Sequence, residues 1–218
     1  MSGLRPAPAP LGDPRVIAAD DPAALATVTR ALRDGLLVAL PTETVYGVAC
    51  ALTAAALDRL LAAKGRPSSK GITLLVDDLA SAAHLVASSR DAEALAARFW
   101  PGPLTLVLPL RAGERLPDAV TGGTSTVGLR VPDDQLARAL ARAMGPLPLT
   151  SANRSGEAAA RDAHEVVAAL GRAVAVVVDG GPSPGGVPST VVALGQGPFQ
   201  VLRAGPIAAD DVARALEG

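Results

Sequence analysis

The chain of 218 residues is poor in several residue types at once. It has a single cysteine, Cys50. That excludes an intramolecular disulfide framework and any site built from several thiolates. Aromatic residues make up only 2%, too few to read single-stranded bases by stacking. The net charge of −1 argues against indiscriminate coating of nucleic acid. Residues 1–14 hold no apolar run of signal-peptide length. The stretch 35–57 carries one charge, Glu43, but Pro41, Gly47 and three threonines interrupt it. No membrane span is therefore expected, and a reducing cytoplasm is the expected compartment. His84 and His164 lack a second ligand at i+4, so no metal-binding residues are assigned. A Walker loop is absent.

What is present is a chain with 49% hydrophobic residues, 22 Gly and 19 Pro. Residues 1–14 read as a flexible Pro/Ala-rich leader and 15–218 as one domain. Asp20-Asp21-Pro22 opens a helix that stops at Gly35, and the run 36–40, ended by Pro41, reads as a buried strand. Thr53 and Gly65 bracket a helix over 54–64, with Leu57, Leu60 and Leu61 on one face. Strands are expected at 72–76, 104–109, 126–131, 147–149, 174–178, 190–194 and 199–203. Helices are expected at 79–88, 91–99, 134–144, 163–171 and 208–216. The interleaving predicts an α/β fold around a largely buried sheet. Cys50, in an apolar stretch, reads as core.

Rarity singles out three segments. Both lysines of the chain, Lys64 and Lys70, flank one loop, Lys64-Gly65-Arg66-Pro67-Ser68-Ser69-Lys70. An ammonium and an Arg fork suit phosphate oxygens, although a solvated loop has the same composition. Asn153, the only asparagine, lies in Ser151-Ala152-Asn153-Arg154-Ser155-Gly156 after a short apolar run. That is a place for a polar ligand at a strand end or for an ordinary turn. Tyr46, the only tyrosine, ends Thr42-Glu43-Thr44-Val45-Tyr46. Its threonine hydroxyls are candidates for an amino-acid ligand, or plain strand residues.

These segments, with Pro101-Gly102-Pro103-Leu104-Thr105, Thr126-Val127-Gly128-Leu129-Arg130, Pro188-Ser189-Thr190-Val191-Val192 and Val201-Leu202-Arg203-Ala204-Gly205, resemble the YrdC-like threonylcarbamoyl-AMP synthases. The blocks occur in that family's order, and Lys70-Gly71 is most similar to its short bacterial branch. The resemblance implies a twisted, mixed sheet flanked by helices, with a basic concave face. It implies that L-threonine, bicarbonate and ATP, with Mg²⁺, give threonylcarbamoyl-AMP and pyrophosphate. A separate transferase machinery then modifies tRNA.

By motif, the resemblance assigns Lys64 and Arg66 to the nucleotide phosphates as the catalytic pair. Lys70, Thr126, Asn153, Arg161 and Arg203 fall to ATP, and Thr44, Arg130, Ser151 and Ser189 to threonine. On that assignment Lys64→Ala lowers turnover at least tenfold with folding intact. Leu75 stands where some members carry histidine. Three other readings are a paralogue without synthase activity, a module contacting tRNA or double-stranded RNA, and a carbamoyl-transfer domain like that of hydrogenase maturation proteins.

Overall fold

The computed structural model describes residues 12–195 and 197–217; most of the leader expected over 1–14 lies outside them. In chain order the elements are β1 (Arg15–Ala18), α1 (Ala24–Arg33), β2 (Val38–Leu40), β3 (Gly47–Ala49), α2 (Ala54–Lys64), β4 (Thr73–Leu75), α3 (Arg90–Phe99), β5 (Leu104–Pro109) and α4 (Asp118–Thr121). Then follow β6 (Thr126–Arg130), α5 (Gln135–Met144), β7 (Leu147–Ser151), α6 (Ala163–Leu170), β8 (Val176–Asp179), β9 (Thr190–Gly195), β10 (Gly197–Arg203) and α7 (Ala209–Leu216). The strands form one mixed sheet in the order β1-β8-β2-β3-β7-β4-β6-β5-β9-β10.

The pleat sorts the side chains into two cores, because successive strand residues point to opposite faces. Val38, Leu40, Val176 and Val178 join Val28 and Leu32 of α1 and Leu140 of α5 on one face. Ala39 and Val177 turn to the other face, with Leu57 and Leu60 of α2, Leu95 of α3, Val166 of α6 and Val212 of α7. The inner residues of β5, β6 and β9, such as Leu106, Leu129 and Val192, also belong to that second core. Each fully buried leucine contributes about 2 kcal/mol. Thus one face is covered along its length, while on the other α1 and α5 reach from β1 only as far as the Leu75 end of β4. The part beyond, over β6, β5 and β9 and the rest of β4, is where a site has room.

Helix ends follow the expected chemistry. The Thr53 hydroxyl accepts from Ala56 N, and Gly65 closes α2 at φ 59°. Ser89, Asp134 and Asp162 cap α3, α5 and α6 in the same way. The helix expected over 79–88 is instead a single 3-10 turn, Ala80–Ala82. Asp78 closes it by accepting from Ser81 N (2.7 Å). The following backbone pairs with the end of β5, through Ala87 N to Pro109 O (3.0 Å) and Arg111 N to Leu85 O (2.9 Å). Tertiary pairing there overrides an Ala-rich helical composition.

Candidate active site

A cavity of about 370 Å³ opens on the uncovered face. Its floor comes from alternate residues of neighbouring strands: Thr73 and Leu75, Thr105 and Val107, Thr126 and Arg130, Leu149 and Ser151. Spacings of two or four residues put each pair on the same side of the sheet. Gly128 sits in the middle of this floor, where a Cβ would touch Thr105 and Thr73 at 3.4 and 3.5 Å. The walls add Thr42, Thr44, Thr121 and Thr124, with Ser189 and Arg203 from the far edge. Hydroxyls dominate the polar lining, and three guanidiniums, Arg66, Arg130 and Arg203, supply the charge. Among the described residues no carboxylate lines it. Such a concavity concentrates anions.

Each cation is held by main-chain oxygens. Arg66 donates to Lys70 O (3.1 Å) and Gly71 O (2.8 Å), which folds the loop back on itself. Arg203 donates to Ser189 O from Nε (3.0 Å) and Nη2 (2.8 Å), and from Nη2 to Ser189 Oγ (3.1 Å). Ser189 Oγ also bonds Thr105 Oγ1 (2.8 Å). Arg130 is buried; it donates from Nε to Gly102 O (3.2 Å) and from Nη2 to Glu43 Oε1 (2.7 Å) and Thr44 Oγ1 (2.9 Å). Desolvation lowers the pKa of Arg66, and that of Arg203, where repulsion from Arg130 and Arg66 adds to it. These groups are primed to gain from an incoming anion.

The turn bearing Thr44 is built by Thr42, whose hydroxyl donates to Val45 O (2.7 Å) and pairs with Thr44 Oγ1 (2.8 Å). Tyr46 is fully buried, and its hydroxyl donates to Gly181 O (2.8 Å) and accepts from Gly180 N (3.1 Å). The Gly/Pro-rich loop after β8 is thereby tied behind the turn, and Tyr46 anchors structure through its hydroxyl.

Lys64 differs from its expected place. It is 2% exposed and is not part of the cavity wall. Its ammonium donates to Ser151 O, to Asn153 O (2.6 Å) and to Asn153 Oδ1 (3.4 Å). Burial, with Arg66 nearby, lowers its pKa to about 8. Asn153 is also turned inward, donating from Nδ2 to Arg154 O and Glu157 O (both 2.8 Å). Lys64 and Asn153 thus lock the strand end that presents Ser151. Lys70 is exposed, and Arg161 is exposed beside Gly186; neither lines the cavity. Of the residues singled out in the sequence, Thr42, Thr44, Tyr46, Arg66, Thr126, Arg130, Ser151, Ser189 and Arg203 converge on the cavity. Thr73, Thr105, Thr121 and Thr124 complete it without having been singled out. Their signal is the recurrence of threonine at alternate strand positions and around Gly122-Gly123.

The family model Sua5/YciO/YrdC, described as "Telomere recombination", matches residues 30–205. The chain belongs to this family. It is similar to threonylcarbamoyl-AMP synthase of Pyrococcus abyssi, with 38% identity over 188 residues, covering 85% of this chain and 55% of the relative. It is also similar to threonylcarbamoyl-AMP synthase of Thiobacillus denitrificans, with 42% identity over 176 residues, covering 79% and 91%. The crystal structure of P. abyssi Sua5 complexed with L-threonine superposes with a TM-score of 0.83 at 36% identity, covering 88% of this chain and 57% of that one. The chain thus spans about half the length of the Pyrococcus relative and nine-tenths of the Thiobacillus one. Among the described residues no helix is long and apolar enough to cross a membrane, and Cys50 is buried, as its sequence context implied.

Proposed function

We propose that this chain is a threonylcarbamoyl-AMP synthase, joining L-threonine, bicarbonate and ATP into threonylcarbamoyl-AMP and pyrophosphate for tRNA modification in the cytoplasm. The observation that carries the reading is the cavity itself, with three guanidiniums spread over a hydroxyl-lined concavity in a family with threonylcarbamoyl-AMP synthases among its members. One reactant is an amino acid with a carboxylate, another a polyphosphate, and the third an anion. A cationic site with many neutral donors suits all three.

The threonine amine condenses with bicarbonate to a carbamate, releasing water. A carbamate oxygen attacks the α-phosphorus of ATP, the bond to the bridging oxygen breaks, and pyrophosphate leaves. No enzyme nucleophile takes part, so the protein acts by positioning and by stabilising charge. Arg130, bonded to Thr44, suits the threonine carboxylate, and Ser151 offers a hydroxyl from another strand of the same cavity. Arg66 and Arg203, with Thr126, suit the phosphates, and Ser189 orients Arg203. Lys64 and Asn153 serve by holding the 151–153 strand end. A Mg²⁺ bound with ATP would offset phosphate charge, and the hydroxyl-lined wall, which offers no carboxylate among the described residues, would leave it to phosphate oxygens and water.

The test is pyrophosphate release by the purified chain, with each of ATP, threonine, bicarbonate and Mg²⁺ omitted in turn. Release that requires both threonine and bicarbonate supports the proposal. Release independent of threonine, or none from a folded chain that binds ATP, overturns it.

A further inference from the structure

Among the described residues Glu43 is the one acidic group in contact with the site's cations, and the activity proposed above gives it no task. Its carboxylate is mostly buried, with 17% side-chain exposure. Oε1 accepts from Arg130 Nη2 at 2.7 Å. Oε2 is buried and has no hydrogen-bond partner among the described residues. A pair evolved for stability alone tends to use both carboxylate oxygens against the guanidinium fork, and leaving one buried oxygen bare costs about 1–3 kcal/mol. The single-oxygen contact has a geometric result. Nε of Arg130 goes to Gly102 O, Nη2 goes to Glu43 and Thr44, and Nη1 has no protein partner among the described residues. Arg130 itself lines the cavity.

The backbone that carries Glu43 is held from behind. Gly185 N donates to Glu43 O (3.0 Å), and a Cβ on Gly185 would lie 2.7 Å from that oxygen. The Thr42 hydroxyl braces the same turn. On the far side Asp134 is committed to capping α5 through Ala137 N (2.8 Å), and burial together with the charge of Glu43 raises its pKa. Glu43 itself is absent from the cavity wall.

We infer that Glu43 is a positioning residue: it fixes Nη2 of Arg130 while the Gly102 carbonyl fixes Nε, so that Nη1 is left to meet the carboxylate of the amino-acid substrate. The inference rests on the synthase reading for the identity of that substrate. Glu43 acts through Arg130 and does not touch the reactants.

The experiment compares Glu43→Gln, Arg130→Lys and the double variant. Circular dichroism and ATP binding confirm that each is folded. Glu43→Gln is expected to raise the threonine KM by about tenfold, with the ATP KM within twofold. In the Arg130→Lys background the same change is expected to add less than twofold, because the effect runs through Arg130. Glu43→Asp is expected to recover part of the lost affinity. An unchanged threonine KM in folded Glu43→Gln, or full additivity in the double variant, overturns the inference. A wild-type chain with no threonine-dependent turnover defeats the synthase reading instead. In that event a crystal structure of Glu43→Gln decides: a guanidinium displaced by about 1 Å or more supports the positioning role, and an unmoved one rejects it.

Discussion

Gly205 offers the most direct steric check on how the site's far edge is held. A Cβ there would lie 2.3 Å from Thr190 N, 2.6 Å from Ser189 C and 2.7 Å from Pro188 O. All three are backbone atoms, so no side chain can rotate away. The segment they belong to is itself fixed, by Thr190 N to Pro103 O (2.9 Å) and by the Thr190 hydroxyl to the Ile207 backbone (2.9 Å both ways). Gly205→Ala must push that backbone by about 1 Å, and overpacking of this kind costs about 3 kcal/mol. For a chain of this size that lowers Tm by about 6–12 °C. The displaced stretch carries Ser189, whose carbonyl takes two donors from Arg203, so weaker ATP binding should accompany the fall. Gly195→Ala is the control: a Cβ there meets nothing within 4 Å, and its effect should stay within about 1 kcal/mol. Thermal unfolding followed by circular dichroism makes the measurement. A Gly205→Ala protein melting within 2 °C of wild type would show that this backbone yields without cost.

Three further outcomes are expected. Arg66→Ala should raise the ATP KM at least about tenfold and leave the threonine KM within about twofold, since a charge-assisted contact is worth about 1.5–3 kcal/mol; equal effects on both substrates would contradict the division of the cavity. For Lys64, the folded pKa near 8 lies below the ordinary 10.5. Between those values the unfolded chain retains a proton that the folded chain has released, so raising the pH favours folding. The stability of wild type minus that of Lys64→Met should therefore grow from pH 8 to pH 10 in urea titrations, and a flat difference would show that the ammonium is not desolvated. Cys50, buried and with its pKa pushed up to about 12, should resist thiol reagents until the chain unfolds; modification of native protein at the unfolded rate would contradict its place in the core.

The parts of the fold legible in the sequence are those with local causes. The caps at Thr53 and Gly65, the stop at Gly35 and the apolar run ending at Pro41 each carry their own chemistry. β1 and β3 were missed because their stability is not local. β1 pairs with β8, more than 150 residues away, and β3 is a three-residue strand between β2 and β7. In the site, rare residues marked the right loops, yet rarity does not reveal direction. Lys64 and Arg66 are two residues apart, but the last turn of α2 buries one under the 151–153 strand end while the other faces the cavity. This position changes the expectation that Lys64→Ala leaves folding intact, because the ammonium satisfies buried main-chain oxygens. The threonines of the floor could be recognised only once strands distant in sequence were placed side by side.

Threonylcarbamoyl-AMP itself is what distinguishes the proposed activity from ATP binding alone. Mass spectrometry of a reaction containing ATP, Mg²⁺, L-threonine and isotopically labelled bicarbonate should show threonylcarbamoyl-AMP carrying one labelled carbon, formed in step with pyrophosphate and lost in Arg130→Ala. An adenylate without the label, or no adenylate from a folded chain that binds both ATP and threonine, would contradict the account.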